Sequence, residues 1–401
     1  MKLKTAVLVG NFPPPFGGVP THIEYLAHYL SNNGWKVDVI TPKFRGKERE
    51  SMGGFVVHSL LSTSKLVRLK LLVRHIIKVI CHLNFFLAEP REFVRSLLLY
   101  EQIRQVNQIR EVGAVAAYHI FPAGLAAAWI SADFGIPFLT TIFGEIYEGT
   151  SRHQRWSVET ALVLNSSAKL LSCSEHCANS VHLLGDRWRV DTLYYGIDTH
   201  FFVPANDAGA LKKKIGIDPE LPIILFVGRQ TWEMGLHVFL ESARQVLKVR
   251  KNVCFFIAGR AAELTETAEK LAIEYPGLVK VRVDVPSDEL VQIYQASDVV
   301  AVPSINLRAC LGLAIIEGMS CGKPVVVSNI GGGPEVLSGC DVGVLVPPED
   351  PAALAKALLS LIEDIGMASR MGANGREIAV SRFDFCATNV AMENLLLGIQ
   401  V

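Results

Sequence analysis

The chain has 401 residues, several times the ~100–200 residues of a typical domain, so its length predicts two domains. Half of the residues are hydrophobic and 19% are charged, which supports ordinary buried cores and excludes a mainly disordered chain. Lys plus Arg number 39 and Asp plus Glu also number 39, so the zero net charge offers no global attraction to nucleic acid.

The first half of the chain alternates short apolar runs with helical patterns. A buried strand is predicted at 6–9, and a loop rich in Pro and Gly follows and ends at Gly17-Gly18. Helical spacing of apolar residues over 21–30 leads to a strand at 36–40, which closes a β-α-β unit. Further strands are predicted at 114–119, 137–142, 170–172 and 191–194, with a helix at 124–130.

The second half repeats this alternation. Strands are predicted at 222–227, 253–258, 279–283, 299–302, 324–327 and 342–346, and helices at 237–249, 288–296, 312–318 and 351–362. Two β/α runs of similar size predict an α/β fold with two Rossmann-like domains that face a cleft. The expected domains are 1–203 and 204–382, with a last helix at 383–401 that packs back on the first domain.

Glycine turns follow predicted strands in both domains. Turns without side chains let backbone N–H groups and the next helix N-terminus approach a phosphate, which makes Gly17-Gly18 and Gly312 candidate donor-binding elements. Simple loop punctuation is the alternative reading of each glycine pair. Prolines occupy the place of a G-x-G-x-x-G pattern in the first turn, which disfavours a nicotinamide or flavin enzyme.

Several segments carry glycines, prolines and a carboxylate in a characteristic order. In the second half these are Pro303-Ser304, Gly312-Leu313, 317–326 (EGMSCGKPVV) and 332–336 (GGPEV). Elsewhere they are 17–19, 165–174, 195–198 (YGID), 226–229 (FVGR) with Gly235, and 371–383. Over nearly the whole chain this pattern resembles the family 4 glycosyltransferases.

The resemblance implies a GT-B fold and a nucleotide-sugar donor held mainly by the second domain. It also implies a hexosyl transfer to a hydroxyl acceptor with retention of configuration, with no metal and no other cofactor. The implied setting is the synthesis of a glycan, a glycolipid or a surface polysaccharide.

Carried over by position, the resemblance implies roles for five residues. Glu317 would bind the ribose hydroxyls, because a carboxylate can accept two hydrogen bonds from a diol. Gly312 and Leu313 would offer backbone N–H groups to the diphosphate. Arg229 would bind the same phosphates with its fork of donors, and Gly18 would approach them from the first domain.

Four positions depart from the family pattern. Met234 stands where the donor loop has a Lys, and Ala309 stands where a first Glu would contact the sugar. Phe143 replaces a His, and Val283 replaces a Gly near the nucleobase. These departures leave open a GT-B protein without activity that acts as a partner or regulatory subunit. A nucleotide-sugar epimerase on a related fold is a further alternative.

Three nearby polar residues are candidate substitutes for the missing groups. Arg308 lies beside Ala309 and Glu145 lies near Phe143, although simple exposure explains both as well. His119 at a strand end is a candidate catalytic residue together with Arg229, and a framework histidine is the equal alternative.

Residues 65–88 form a basic, apolar segment. Arg68, Lys70 and Arg74 lie among Leu, Val and Ile at helical spacing, and no acidic residue occurs before Glu89. Such a helix suits an anionic membrane interface, whereas a domain helix with a wet basic face is the other reading. With no run of ~18–20 apolar residues and no convincing signal peptide, a cytoplasmic protein is expected, peripheral on the inner membrane face if the acceptor is lipid-linked.

Overall fold

The structure is a computed structural model that describes residues 2–12, 18–42, 49–60, 65–147 and 157–400, with the backbone alone at 65–67. It divides into two compact units. The first contains the chain up to Tyr195 and again from Cys386, and the second runs from Gly196 to Phe385. The division therefore falls earlier than the predicted boundary after residue 203.

Three hydrogen bonds explain why the boundary between the two units lies at Gly196. Ile197 N–H donates to the Phe383 carbonyl at 2.9 Å, and Phe385 N–H donates to the Ile197 carbonyl at 3.0 Å. Arg376 Nη1 donates to the Phe202 carbonyl at 2.9 Å. The segment that begins at Gly196 is thus attached to the second unit before the predicted boundary is reached.

The first unit is built on an eight-stranded sheet in the order β3-β4-β2-β1-β5-β6-β7-β8, in which all neighbours are parallel except β3 and β4. The strands are β1 (Thr5–Val9), β2 (Lys36–Thr41), β3 (Arg49–Met52), β4 (Phe55–Ser59), β5 (Ala114–Tyr118), β6 (Phe138–Ile142), β7 (Lys169–Ser172) and β8 (Asp191–Thr192). Strands β5 and β6 are buried throughout, as parallel strands covered on both faces must be. The β3–β4 pair was not predicted from the sequence.

Helices cover this sheet. They are α1 (Gly18–Asn32), α2 (Lys65–Arg74), α3 (Ile76–Cys81), α4 (Leu83–Ala88), α5 (Pro90–Ile109), α6 (Leu125–Phe134), α7 (Ser157–Ser166) and α8 (Glu175–Asn179). The basic segment thus forms three short helices rather than one, and the long helix α5 was not predicted. The final helix, α17 (Phe385–Gly398), belongs to this unit from Cys386 onward.

The second unit has a six-stranded, fully parallel sheet in the order β11-β10-β9-β12-β13-β14. Its strands are β9 (Ile223–Val227), β10 (Cys254–Gly259), β11 (Val279–Val283), β12 (Val299–Val302), β13 (Val325–Ser328) and β14 (Gly343–Val346). Its helices are α9 (Ala208–Lys214), α10 (Leu236–Val249), α11 (Thr265–Glu274), α12 (Ser287–Ala296), α13 (Leu313–Ser320), α14 (Gly333–Leu337), α15 (Pro351–Glu363) and α16 (Ile365–Arg382). Each predicted strand of this half is present within about two residues of its expected ends.

Each unit has its own hydrophobic core, as expected for two domains. Within the described ranges, no helix combines the length and the hydropathy that crossing a bilayer requires.

Gly196→Ala should destabilise the second unit. A Cβ at this position would collide with the backbone of Phe385, and overpacking of this kind costs ~1–3 kcal/mol. Urea unfolding should show the loss. Gly398→Ala is the matched control, because its Cβ would have no atom within 4 Å. Equal stability of the two variants would contradict this view of the boundary.

Candidate functional site

The predicted donor-binding residues of the second unit lie where parallel strands end. Strand β9 runs into Gly228 and Arg229, strand β12 runs into Pro303, and Gly312 precedes helix α13. In an open α/β sheet this carboxyl edge is where ligands bind.

Two loops at this edge pack backbone against backbone. Gly235 has a φ of +73°, and a Cβ there would overlap the carbonyl oxygen of Pro303. The Glu233 carbonyl oxygen accepts hydrogen bonds from Ser304 Oγ at 3.2 Å and from Ile305 N–H at 3.1 Å. The loop that carries Arg229 is therefore fixed to the end of β12, and Gly235 is required for that contact.

Arg229 faces a carboxylate that sequence reasoning missed. Its Nη2 lies 3.9 Å from Glu233 Oε2, and both side chains are about half exposed. Asn306 Nδ2 lies 3.5 Å from the same oxygen. An exposed pair of this kind contributes ~0–1 kcal/mol, so a phosphate can displace Glu233 at low cost. The only sequence signal was an acidic residue between Arg229 and Gly235.

The replacements at Met234 and Ala309 each fit their surroundings. Met234 packs against the hydrophobic core of the second unit. Ala309 N–H donates to the Asn306 carbonyl at 2.9 Å, and the Ala309 carbonyl accepts from Gly332 N–H at 2.9 Å. The neighbouring Arg308 is exposed, and Val283 at the end of β11 is 42% exposed.

The backbone at the N-terminus of helix α13 suits an anion. Gly312 has a φ of +77°, and no side-chain hydrogen bond caps the helix there. Gly312 and Leu313 are partly buried. The positive end of the helix dipole and the first-turn N–H groups make this a favourable place for a phosphate.

Glu317 lies one turn further along the same helix and is held by a buried tyrosine. The Tyr294 hydroxyl, from helix α12, donates to Glu317 Oε2 at 2.7 Å. Burial raises the pKa of the Glu317 carboxyl from its usual 4.5 to about 6, while the hydrogen bond from Tyr294 opposes that rise. The sequence did not indicate Tyr294, because nothing in its local pattern distinguishes it from a core aromatic residue.

His119 lies at the end of β5 in the first unit. Its φ of +77° is unusual for a residue with a side chain, and such strain is common at functional sites. Nδ1 lies 3.5 Å from Glu145 Oε2, and the two Glu145 oxygens accept from Ile120 N–H at 3.1 and 3.2 Å. The structure thus brings together His119 and Glu145, with the buried Phe143 ring 4.5 Å from the imidazole.

The remaining candidates of the first unit lie at the start of α1. Gly18 is the first residue of this helix, while Gly17 lies outside the described residues. Sequence reasoning missed the buried His22, which stacks on Tyr195 with ring centroids 3.8 Å apart. Burial lowers the pKa of His22 to about 3, so it is neutral at physiological pH.

Comparison with known proteins gives family matches to both halves of the chain. The family model "Glycosyltransferase Family 4" matches residues 16–201, and "Glycosyl transferases group 1" matches residues 207–378. The chain belongs to the family 4 glycosyltransferases. This confirms the family that the motifs indicated.

One curated relative is a D-inositol 3-phosphate glycosyltransferase of Corynebacterium efficiens, 30% identical over 248 residues. That alignment covers 59% of this chain and 58% of the relative, so the chain spans under two thirds of its length.

Solved structures establish the fold. A sucrose-phosphate synthase from Thermosynechococcus elongatus matches with a TM-score of 0.77 at 20% identity and 98% coverage of both chains. Anabaena HepE, solved in complex with UDP and glucose, matches with a TM-score of 0.75 at 17% identity, over 98% of this chain and 99% of that chain. These neighbours confirm the predicted GT-B architecture.

Glu317→Gln should remove the contribution of this carboxyl to the pH dependence of the free energy of unfolding. The folded pKa of about 6 lies above the usual 4.5, so the folded state binds the proton more tightly. That stabilisation is complete below the unfolded pKa and is lost as the pH rises through the folded pKa, with at most about 2 kcal/mol at stake. Urea unfolding of the wild type and of Glu317→Gln, across the pH range that spans these two pKa values, measures the free energies of unfolding. The same pH dependence in both proteins would contradict the burial of a titrating Glu317.

Proposed function

We propose that this chain transfers a hexosyl group from a nucleoside diphosphate sugar to a hydroxyl acceptor with retention of configuration. The observation that carries the proposal is helix α13, which presents first-turn N–H groups after Gly312 and, one turn later, the fixed carboxylate of Glu317. Helix N-terminal N–H groups suit a diphosphate, and a carboxylate suits the hydroxyls of the attached ribose. The UDP and UDP-glucose complexes of Anabaena HepE support a donor of this class.

In the proposed complex, Glu317 accepts hydrogen bonds from the ribose hydroxyls. Tyr294 occupies one of its oxygens, which leaves Oε1 and the second lone pair of Oε2 for the ribose. The diphosphate lies at the N-terminus of α13, where Gly312 and Leu313 contribute backbone N–H groups. Arg229 exchanges Glu233 for a phosphate oxygen.

The chemical step breaks the bond between the anomeric carbon and the diphosphate oxygen and forms a bond to the acceptor oxygen on the same face. The acceptor proton passes to the departing phosphate, and stabilisation of the charge on that phosphate is the main electrostatic task. Met234 offers no cation, so the α13 amides and Arg229 carry this task without a metal.

For the first unit, the roles of Gly18 at the diphosphate and of His119 as a catalytic residue stay predictions from the sequence. Glu145 Oε2 lies 3.5 Å from Nδ1 of His119, so a carboxylate faces one nitrogen of the imidazole. In this proposal His119 supplies the polar group that Phe143 lacks.

Arg229→Ala should weaken binding of nucleoside diphosphates. A charge-assisted hydrogen bond contributes ~1.5–3 kcal/mol, so we expect Kd to rise roughly 10-fold or more. Isothermal titration with UDP, GDP and ADP would measure the change. Arg370→Ala is the matched control, because Arg370 is 61% exposed and pairs with a different carboxylate, Asp341, at 3.2 Å. Equal affinities of the two variants would remove Arg229 from the site.

The product should keep the anomeric configuration of the donor. After the titration has identified a nucleotide, proton NMR of the product formed from the corresponding sugar nucleotide reports that configuration directly. An inverted product would refute retention. Tight nucleotide binding without transfer to any acceptor would instead favour the inactive partner protein, for which Met234, Ala309 and Phe143 are the supporting observations.

A further inference from the structure

Helices α2, α3 and α4 expose an apolar face to solvent. Seven large side chains along them have exposed fractions between 47% and 74%, and they recur at intervals of one, three or four residues. We call them the apolar stripe: Leu69, Val73, Ile76, Ile77, Ile80, Leu83 and Leu87. Large contiguous apolar patches are uncommon on soluble proteins and mark interaction sites.

The opposite face of these helices holds the polar contacts. His75 Nε2 lies 3.3 Å from Glu101 Oε2, and Lys78 Nζ lies 2.8 Å from Asp133 Oδ2. Both acceptors belong to the body of the first unit, Glu101 on α5 and Asp133 on α6.

A third pair continues the same face. His82 Nδ1 lies 2.9 Å from Glu159 Oε1, and Glu159 on α7 is buried. Turning the helices to bury the apolar stripe would break these three pairs and leave the buried Glu159 carboxylate without His82, which costs several kcal/mol. The outward direction of the stripe is therefore set by the fold.

The basic residues of this segment lie in two different environments. Lys78 is directed at Asp133, with its side chain only 17% exposed. Arg74 is exposed, yet Nη1 donates to Glu101 at 2.9 Å. Arg68 and Lys70, on either side of Leu69, are exposed beside the stripe.

Charge decides what covers the stripe. Residues 65–88 contain five Lys and Arg side chains and no Asp or Glu. A two-fold contact between copies would bring this positive segment against itself, because such interfaces use the same patch twice. Anionic lipid headgroups instead complement the charge, and acyl chains accept the apolar side chains.

We propose that the apolar stripe inserts into the interface of an anionic bilayer, with α2, α3 and α4 lying in the plane of the membrane. Insertion of apolar side chains supplies the affinity, and the basic residues select anionic lipid. The proposal rests on the first unit alone and holds whether or not the chain transfers sugar.

The test is sedimentation of the full chain with vesicles. Wild-type protein should sediment with phosphatidylcholine–phosphatidylglycerol vesicles and much less with phosphatidylcholine alone. The double variant I77E/I80E should lose at least roughly tenfold in partitioning, since both side chains leave the acyl boundary. K70Q should lose roughly fivefold at low salt, as expected for the removal of one basic charge near the surface.

I109E is the matched control, because Ile109 on α5 is 74% exposed, the same fraction as Ile77, and lies outside the stripe. It should sediment like the wild type. A second stripe variant, L69E/V73E, repeats the test on α2, and thermal unfolding curves that coincide with wild type show that each variant is folded.

Three results would overturn the proposal. They are no sedimentation of the wild type, equal sedimentation of I77E/I80E and I109E, and equal binding to neutral and anionic vesicles. Light scattering tests the alternative that a second copy of the chain covers the stripe. A wild-type dimer that I77E/I80E converts to a monomer would overturn the membrane proposal in favour of that contact.

Discussion

Parallel strands end together at one edge of a sheet, and this constraint places each described candidate residue of the chain. Arg229 follows β9, and His119 follows β5. Gly312 directly precedes the helix after β12, and Glu317 lies on that helix. Because side chains at such edges are not needed to hold the sheet together, they are available for a ligand. The hydrogen bond from Tyr294 to Glu317 adds what the edge alone does not provide, a carboxylate with one fixed oxygen.

The departures from the family pattern have local physical explanations. Met234 gains core contacts where a Lys would have supplied charge, and Ala309 is held by two backbone hydrogen bonds that any residue could make. Phe143 belongs to an aromatic cluster with Tyr118 and Tyr195. None of these replacements lies on α13, so that helix keeps both Gly312 at its start and Glu317 with its hydrogen bond from Tyr294.

The first unit shows how polar pairs can control the exposure of apolar side chains. The pairs of His75, Lys78 and His82 with carboxylates of the body fix three short helices in one orientation. Because these pairs hold the opposite face of the helices against the body of the unit, the apolar stripe stays outside. An amphipathic segment read from its sequence has two possible orientations, and the partners on α5, α6 and α7 choose between them.

The sequence by itself determined the family, the two-domain α/β architecture and the strands of the second half, because short apolar runs between glycine turns are local signals. It also nominated Glu317, Arg229, Gly312 and His119. Only the tertiary structure decided the boundary at Gly196, the hold of Tyr294 on Glu317, the pairing of Arg229 with Glu233 and the outward face of α2 to α4. Apart from the Arg229–Glu233 pair, whose members are four residues apart, those features depend on contacts between residues far apart in the chain. Ile197 with Phe383 and His82 with Glu159 are examples, and no local pattern encodes such contacts.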